Sequence, residues 1–193
     1  MANVFVLNGH AQHQISPGKL NQAFTERAEA FFKDQGHEVR TTYVEQPFEI
    51  EAEIAKLKWA DIVFLQAPVN WMGVSWAMKK YIDEIWTVGM MGELSGGDGR
   101  TAEEPKKNYG LAPMLNGTYM LSLTGNAPKE AFNDPQEKFF DGLSEDELML
   151  PLHLNFKWIG LKPLPTFMAY DVLKNPDVES DFQRFDAHLA KHF

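Results

Sequence analysis

The chain has 193 residues, which predicts one domain, residues 1–193, with room for a substantial core. Its net charge of −9 opposes binding to a phosphate backbone, so we expect no nucleic-acid partner. Cysteine is absent, so disulfides and thiolate metal sites are excluded and redox chemistry requires a bound cofactor. Neither a signal peptide nor an apolar run of about 18 residues is found, which predicts a cytoplasmic protein without membrane insertion.

Short apolar runs alternate with helical patterns along the chain. Strands are predicted at 4–7, 38–43, 62–65, 119–124 and 166–169, and helices at 19–35, 49–58, from about 74 onward, 146–158 and 179–192. This alternation predicts an α/β protein with a doubly wound, five-stranded parallel sheet in the order 2-1-3-4-5. The loops after strands 1, 3 and 4 would then converge on one crevice, which predicts a single nucleotide-type site.

The first of these loops leads directly into a helix at Gly18 and Lys19. Unpaired N–H groups and the positive end of the helix dipole make a phosphate the natural ligand there, although an ordinary helix start capped by Ser16 is an equal alternative. Leu20 stands where a nucleotide-triphosphate loop requires Ser or Thr. Ser16 is the single hydroxyl, whereas small electron-carrier flavodoxins surround a terminal phosphate with several, so a bridging pyrophosphate is favoured.

The loop after the third strand offers a Pro-stiffened backbone and two large side chains, Trp71 and Met72. Such a surface suits a flat, hydrogen-bonding aromatic ring, for example a flavin, although tryptophans are more often core residues. The turn Thr124-Gly125-Asn126-Ala127 is ordinary by itself. Paired with the Trp71 loop it becomes a second wall around the ring.

Several blocks of sequence carry a family resemblance that extends over almost the full length. The two specific blocks are WADIVFLQAPVNWMGVSWAMKKYIDE, which surrounds the third strand, and LSLTxNAP from Leu121. Weaker ones are the Gly18-Lys19-Leu20-Asn21 helix entry, the segment around Tyr109, and the run of residues 164–167. The chain resembles the modulator of drug activity B family of NAD(P)H:quinone reductases, whose members carry a bulky Trp where this chain has Gly125.

The resemblance implies a flavodoxin-like fold, a homodimer, and non-covalently bound FAD that carries the chemistry, with NADPH or NADH as co-substrate and no catalytic side chain. It implies three groups of cofactor-binding residues. The helix entry would contact the dinucleotide through Ser16, Gly18, Lys19, Leu20, Asn21, Gln22 and Ala23. The isoalloxazine would lie against Val69, Asn70, Trp71 and Met72 and against Thr124, Gly125, Asn126 and Ala127, and Tyr109 would reach the cofactor.

The segment 88–110 is unusually long for a connection, and we expect it to border the FAD pocket with Tyr109 near the cofactor. The preceding helix has apolar residues on more than one face. A two-fold dimer that covers the surplus is predicted, with the active sites at the subunit boundary; coverage of Trp76 or Trp86 by the long segment, in a monomer, is the alternative.

Histidines offer one further possibility, because His188 and His192 have the i, i+4 spacing of metal ligands. No third ligand is near in sequence, so a metal site is rejected in favour of an ordinary helix face. His10 and His13 lie in the first loop, where they could touch a phosphate.

The favoured function is two-electron reduction of quinones by NAD(P)H through FAD, with ping-pong hydride transfer. A non-catalytic flavin-binding regulatory subunit of a membrane transport system is the alternative, and an FMN electron carrier is a weaker third.

Overall fold

The computed structural model describes residues 1–193 as an alternation of strands and helices. The strands are β1 (Asn3–Asn8), β2 (Glu38–Tyr43), β3 (Ile62–Pro68), β4 (Thr118–Thr124), β5 (Lys162–Pro163) and β6 (Phe167–Ala169). The helices are α1 (Lys19–Asp34), α2 (Ile50–Trp59), α3 (Trp76–Gly89), α4 (Glu145–Leu148), α5 (Leu150–Ile159) and α6 (Val178–His192), with a single 3₁₀ turn at Lys129–Ala131. None of these helices has the length and apolar character that a membrane span requires.

The strands form one parallel sheet in the order β2-β1-β3-β4-β5. β6 also pairs with β4, beside Ser122 to Thr124, whereas β5 lies beside Thr118 and Tyr119. The predicted order is therefore confirmed, but two short strands share the fifth position. Pro163 and Pro165 account for this division, because proline has no N–H to contribute to a continuous ladder.

Helices cover both faces of the sheet. On one face, α1 and α6 bury Phe24 and Phe185 against Phe64 of β3. On the other, α2, α3 and α5 bury residues such as Tyr81 and Phe156. Strands that are covered on both sides must be apolar on both sides, which is why their sequences are almost unbroken hydrophobic runs. Ligand contacts are left to the loops at the strand ends.

Two predicted helices differ from the observed ones. The helix predicted at 146–158 is divided into α4 and α5, which meet at Met149. Pro151 lies in the first turn of α5, where its missing N–H has no partner to lose; inside one continuous helix it would break the hydrogen-bond ladder. The helix predicted from about residue 74 begins at Trp76, because the Ser75 side chain accepts a hydrogen bond from Met78 N and caps it.

Candidate functional site

The amino terminus of α1 has unpaired donors. Gly18 precedes the helix with a φ of 80°, no side chain caps the first turn, and that turn contains no acidic residue. The main-chain N–H groups of Lys19, Leu20 and Asn21 find no main-chain acceptor. The alternative of a Ser16 cap is wrong, since Ser16 Oγ lies 3.3 Å from His10 Nε2 instead. An uncapped helix start of this kind is a site for an anion.

His10 holds the first loop against this helix. A Cβ on Gly18 would lie 2.5 Å from the His10 ring, so only glycine permits the contact. The main-chain N–H of His10 donates to Asn8 Oδ1 at 3.0 Å. Burial lowers the pKa of His10 below its usual 6.5, which leaves the ring neutral at pH 7 and able to donate a single N–H. The sequence predicted that His10 could touch a phosphate; the structure shows that it shapes the loop.

A buried polar row crosses the sheet beneath this helix start. Asn8 of β1, Gln66 of β3 and Ser122 of β4 are paired side by side in the strand register. Ser122 Oγ donates to Gln66 Oε1 at 2.6 Å, and Gln66 Nε2 donates to Asn21 Oδ1 at 2.9 Å. Thr124 Oγ1 also donates to Asn21 Oδ1, at 3.2 Å. Asn8 and Thr25 brace the same turn of α1. The row therefore links β1, β3 and β4, the three strands whose following loops were predicted to converge on the site.

The predicted ring-binding loop is a strained turn. Asn70 and Gly73 exchange two main-chain hydrogen bonds of 2.8 and 3.1 Å. Trp71 and Met72 between them have φ values of 50° and 62°, a left-handed conformation that turns of this type normally reserve for Gly, Asn or Asp. Trp71 is 95% exposed, and the N–H groups of Trp71 and Met72 have no main-chain acceptor. Strain, unpaired donors and an exposed indole indicate a ligand-binding turn.

The second predicted wall adjoins this turn, because Val69 N donates to Thr124 O at 2.8 Å. Gly125 is less available than expected: its N–H donates to Ala169 O, and its carbonyl accepts from Val172 N. A side chain at Gly125 would collide with Met168, so Met168 fills the space beside this glycine. The N–H groups of Asn126 and Ala127 have no main-chain acceptor, and Asn126 Oδ1 accepts from Leu173 N.

A polar cavity of about 300 Å³ lies beside the helix start, on the side toward β2. It is lined by Asn8, His10, Pro17, Gly18, Gln22, Tyr43, Glu45 and Gln46. Gln22, a predicted site residue, therefore borders a cavity, and its amide also donates to Glu26. Ala23 is half-buried in the same helix.

Tyr109 does not meet the other predicted residues within one chain. Its ring packs on Trp158, with the ring centres 5.2 Å apart, near the end of α5. That end lies beside the start of β4, since Leu115 N donates to Ile159 O. Thr124 and Asn126 lie at the other end of β4. The structure thus separates Tyr109 from the three converging loops by the length of a strand.

Tyr109 instead borders an apolar groove of about 500 Å³ between α3 and α5. Its other apolar lining residues are Ile82, Trp86, Met90, Leu111, Leu154 and Trp158. Tyr109, Leu111 and Leu154 are exposed. The groove lies along the second half of α3, away from its first residue, Trp76.

The apolar surplus predicted on α3 is smaller than expected. Trp86 is buried against Phe156, and its indole N–H donates to Asn155 O at 2.8 Å, so α5 covers it. Trp76 is 70% exposed and remains uncovered. The uncovered apolar surface of α3 therefore consists of Trp76 at one end of the helix and the groove at the other.

A second polar chain starts from β4 at the opposite end of the sheet. The Tyr119 hydroxyl lies 2.6 Å from His153 Nδ1, and His153 Nε2 lies 3.3 Å from Asp146 Oδ1. The hydrogen bond with His153 lowers the pKa of Asp146, and burial raises the pKa of Tyr119. Each polar group in this chain has a partner, so nothing is left over for a ligand. His188 Nε2 is likewise engaged, with Pro165 O.

Comparison with known proteins agrees with this architecture. The model of a family described by its flavodoxin-like fold matches residues 2–193. The chain is 40% identical over 192 residues to the NADPH:quinone oxidoreductase MdaB of Haemophilus influenzae, covering 99% of both proteins.

Solved structures show the same fold at lower identity. A Klebsiella pneumoniae protein solved as a candidate quinone reductase superposes with a TM-score of 0.77 at 20% identity, over 99% of this chain and 83% of that one. General stress protein 14 of Treponema denticola, solved in complex with FMN, gives a TM-score of 0.66 at 15% identity, over 99% and 97%. With the full-length relative, these matches confirm the predicted resemblance: the chain belongs to the flavodoxin-like fold family and, within it, to the modulator of drug activity B family.

Proposed function

We propose that this protein is an FAD-dependent NAD(P)H:quinone oxidoreductase that reduces quinones by two electrons. One observation carries the proposal: the uncapped start of α1, the Trp71 turn and the Thr124–Ala127 turn present unpaired donors at one edge of the sheet. The activity named for the 40% identical relative points the same way. We expect the reaction in the cytoplasm and the chain to act as a single domain, residues 1–193.

The residues fit a flavin dinucleotide. The N–H groups of Lys19, Leu20 and Asn21 would hold the pyrophosphate, together with the Ser16–His10 pair. Val69 to Met72 and Thr124 to Ala127 would enclose the ring. The cavity of about 300 Å³ beyond the helix start favours FAD over FMN, because FMN ends at its phosphate and would leave that space without a ligand group.

When bound, FAD would supply the hydride chemistry, and NAD(P)H and the quinone would use one face in turn, which predicts ping-pong kinetics. The task of the protein is to bind and orient. Trp71 would limit access to that face, and the N–H groups of Trp71 and Met72 would fix the ring edge. No carboxylic acid and no cationic side chain of the protein forms a hydrogen bond with these two turns.

We also propose a homodimer with the active sites at the subunit boundary. α3 is about 21 Å long, with exposed Trp76 at its start and the apolar groove along its second half. A two-fold axis across the middle of α3 would place Trp76 of each copy beside the groove of the other. Tyr109 of the partner subunit would then lie near the Trp71 turn, which no arrangement within one chain allows.

Cofactor identity and turnover test the function together. Denaturing the purified yellow protein should release FAD, and the free protein should reduce a soluble quinone with NADPH or NADH. Recovery of FMN alone, or a colourless protein that flavin titration leaves unchanged, contradicts the proposal. Tight flavin binding without turnover would favour the regulatory alternative.

The oligomeric state is tested separately by sedimentation at micromolar concentration. The wild type should sediment as a dimer, and Leu154→Glu in the groove should shift it toward the 22.0 kDa monomer with loss of turnover. Val178→Glu, an exposed apolar position on α6, is the matched control and should stay dimeric. A wild-type monomer with full activity would refute the shared site.

A further inference from the structure

The polar row beneath α1 interrupts the apolar centre of this face of the sheet. The row below it in the register consists of Val6, Phe64 and Met120, all fully buried. Gln66 and Ser122 are equally buried, with 0% exposure, so neither can touch a ligand. Polar groups in such a position are destabilising unless they are fully paired, so their presence in the core requires a specific explanation.

Two hydroxyl groups, that of Ser122 in the row and that of Thr124 beside it, determine the direction of these hydrogen bonds. The hydroxyl of Ser122 forms a hydrogen bond only with Gln66 Oε1, and that of Thr124 only with Asn21 Oδ1. Each hydroxyl hydrogen therefore has one acceptor, a side-chain amide oxygen. If both amides were reversed, these two hydroxyl hydrogens would face N–H groups and remain unpaired in the interior, which costs about 1–3 kcal/mol for each group.

The chain of donors ends at Asn21. Its Oδ1 accepts from Gln66 and Thr124, which turns the amide nitrogen away from the sheet. Asn21 is 4% exposed, its Nδ2 donates to no atom of the chain, and that atom is not fully enclosed. It lies in the first turn of α1, beside the unpaired main-chain N–H groups. A nearly buried amide thus adds a further donor to the same anion site.

We propose that Gln66 and Ser122 are positioning residues: through hydrogen bonds that run from Ser122 to Gln66 to Asn21, they keep the Asn21 amide turned so that it donates to the anionic diphosphate of the cofactor. The inference rests on the proposed function for the identity of the ligand. The orientation itself is a property of the protein alone. Loss of the orientation would present the Asn21 oxygen to the anion in place of N–H.

Gln66→Glu gives the sharpest test, because its carboxyl group changes hydrogen-bond character with pH. When neutral, it accepts from Ser122 and donates to Asn21 Oδ1, as Gln66 does. When ionised, it can only accept, and the Asn21 amide turns to donate to it. We expect FAD dissociation constants within about threefold of wild type below the pKa of the introduced carboxyl, which burial raises, and at least about tenfold weaker above it, the scale of one hydrogen bond to a charged group.

At each pH, the FAD dissociation constant of Gln66→Glu is divided by that of wild type. This ratio reports the effect of the introduced carboxyl alone. The side chains hydrogen-bonded to Gln66, namely Asn21 and Ser122, do not titrate. His10, which titrates in the neighbouring loop, is present in both proteins. A ratio that stays constant while the infrared carbonyl band shows this carboxyl ionising would overturn the proposal.

Ser122→Ala provides the second test, with Ser122→Thr as the rescue. Removing the hydroxyl frees Gln66 to reverse, so FAD should bind about three- to tenfold more weakly, and the threonine variant should bind as wild type. Tyr119→Phe removes a buried hydroxyl at the other end of the same strand and is the matched control. An equal loss in Ser122→Ala and Tyr119→Phe would show a general structural effect and contradict the positioning role.

A measurement without flavin separates this inference from the proposed function. In the flavin-free protein, ¹⁵N NMR should show rapid solvent exchange for the Asn21 side-chain amide and protection for that of Gln66. Protection of the Asn21 amide in wild type would refute the inference whatever the cofactor. The expected exchange pattern in a protein that binds no FAD would refute the proposed function and leave the orientation established.

Discussion

Two polar chains start from β4, and they end differently. Near the carboxyl end of the strand, Ser122 donates to Gln66, Gln66 to Asn21, and the Asn21 amide nitrogen has no partner in the protein. Near the amino end, Tyr119 pairs with His153 and His153 with Asp146, so the chain closes on a carboxylate. A chain whose groups are all paired within the protein contributes to stability, whereas the chain that ends in a free donor has a group left over for a ligand.

The difference predicts that substitutions in the two chains separate binding from folding. A change at the open end, Asn21, should weaken FAD binding and spare the flavin-free fold. Changes in the closed chain should do the opposite.

The largest effect is expected for Asn21→Asp. One carboxylate oxygen can still accept from Gln66 and Thr124, while the other replaces the outward N–H₂ and repels a phosphate. We expect the free energy of FAD binding to weaken by about 2–4 kcal/mol, from one lost charged hydrogen bond and the added repulsion. The free energy of unfolding without flavin should hold or rise, because an acidic residue favours a helix start. Flavin titration and chemical denaturation measure the two; unchanged FAD affinity would show that the open chain serves no ligand.

Trp71→Ala is expected to follow, with FAD binding weaker by about 1–3 kcal/mol, the scale for a large aromatic contact. Since Trp71 is 95% exposed in the free chain, flavin-free stability should not change. Trp76→Ala is the matched control. It should raise the dissociation constant of the dimer by a larger factor than that of FAD, with FAD binding measured at protein concentrations that keep the dimer formed. Equal FAD affinity in wild type and Trp71→Ala would remove Trp71 from the site.

In the closed chain, Tyr119→Phe should lower the free energy of unfolding by about 1–2 kcal/mol, because His153 Nδ1 loses its partner. FAD affinity should stay at the wild-type value. Urea denaturation of both proteins in the flavin-free state gives the first quantity. A weaker FAD affinity in this variant would mean that the two chains are coupled across the sheet.

The smallest effect concerns pH. Burial lowers the pKa of His10 below 6.5, so the folded protein binds this proton less readily than the unfolded chain. His10 therefore contributes stability that is present above pH 6.5 and is lost as the pH falls toward the lowered pKa. His10→Gln should flatten this part of the stability curve between pH 7 and pH 5, as followed by thermal denaturation. A wild-type curve identical to that of His10→Gln would contradict the burial argument.

Much of the fold was predictable because the two patterns that indicate it, apolar runs and helical periods, each depend on residues close together in the chain. The apolar runs and helical periods along the chain were enough to predict the sheet order. The uncapped start of α1 was left open by the sequence, because Ser16 was an equal candidate for the cap, and the structure decided it. The boundaries that failed depended on single residues: Pro151 restarts a helix, and Ser75 delays one. Such residues act through one hydrogen bond, which a periodicity average does not detect.

The site was predictable only in part. The sequence singled out Trp71 through its loop, and the family resemblance implied Asn21. Gln66 and Ser122 escaped notice because each is a single polar residue in an apolar strand. Their meaning depends on register, because only the pairing of β1, β3 and β4 places Asn8, Gln66 and Ser122 in one row. Within one chain Tyr109 lies at the far end of the sheet from the Trp71 turn, since the path of a long loop is set by what it packs on, here Trp158.

By itself the sequence determined the doubly wound sheet, the three loops at its carboxyl edge and the family, because alternating apolar patterns and contiguous motifs are properties of neighbouring residues. Only the tertiary structure decided which way the Asn21 amide faces, that Trp86 is covered by α5, and that Tyr109 is a strand's length from the Trp71 turn. These are relations between residues far apart in the chain, and packing and hydrogen-bond satisfaction establish them only when the strands and helices have assembled.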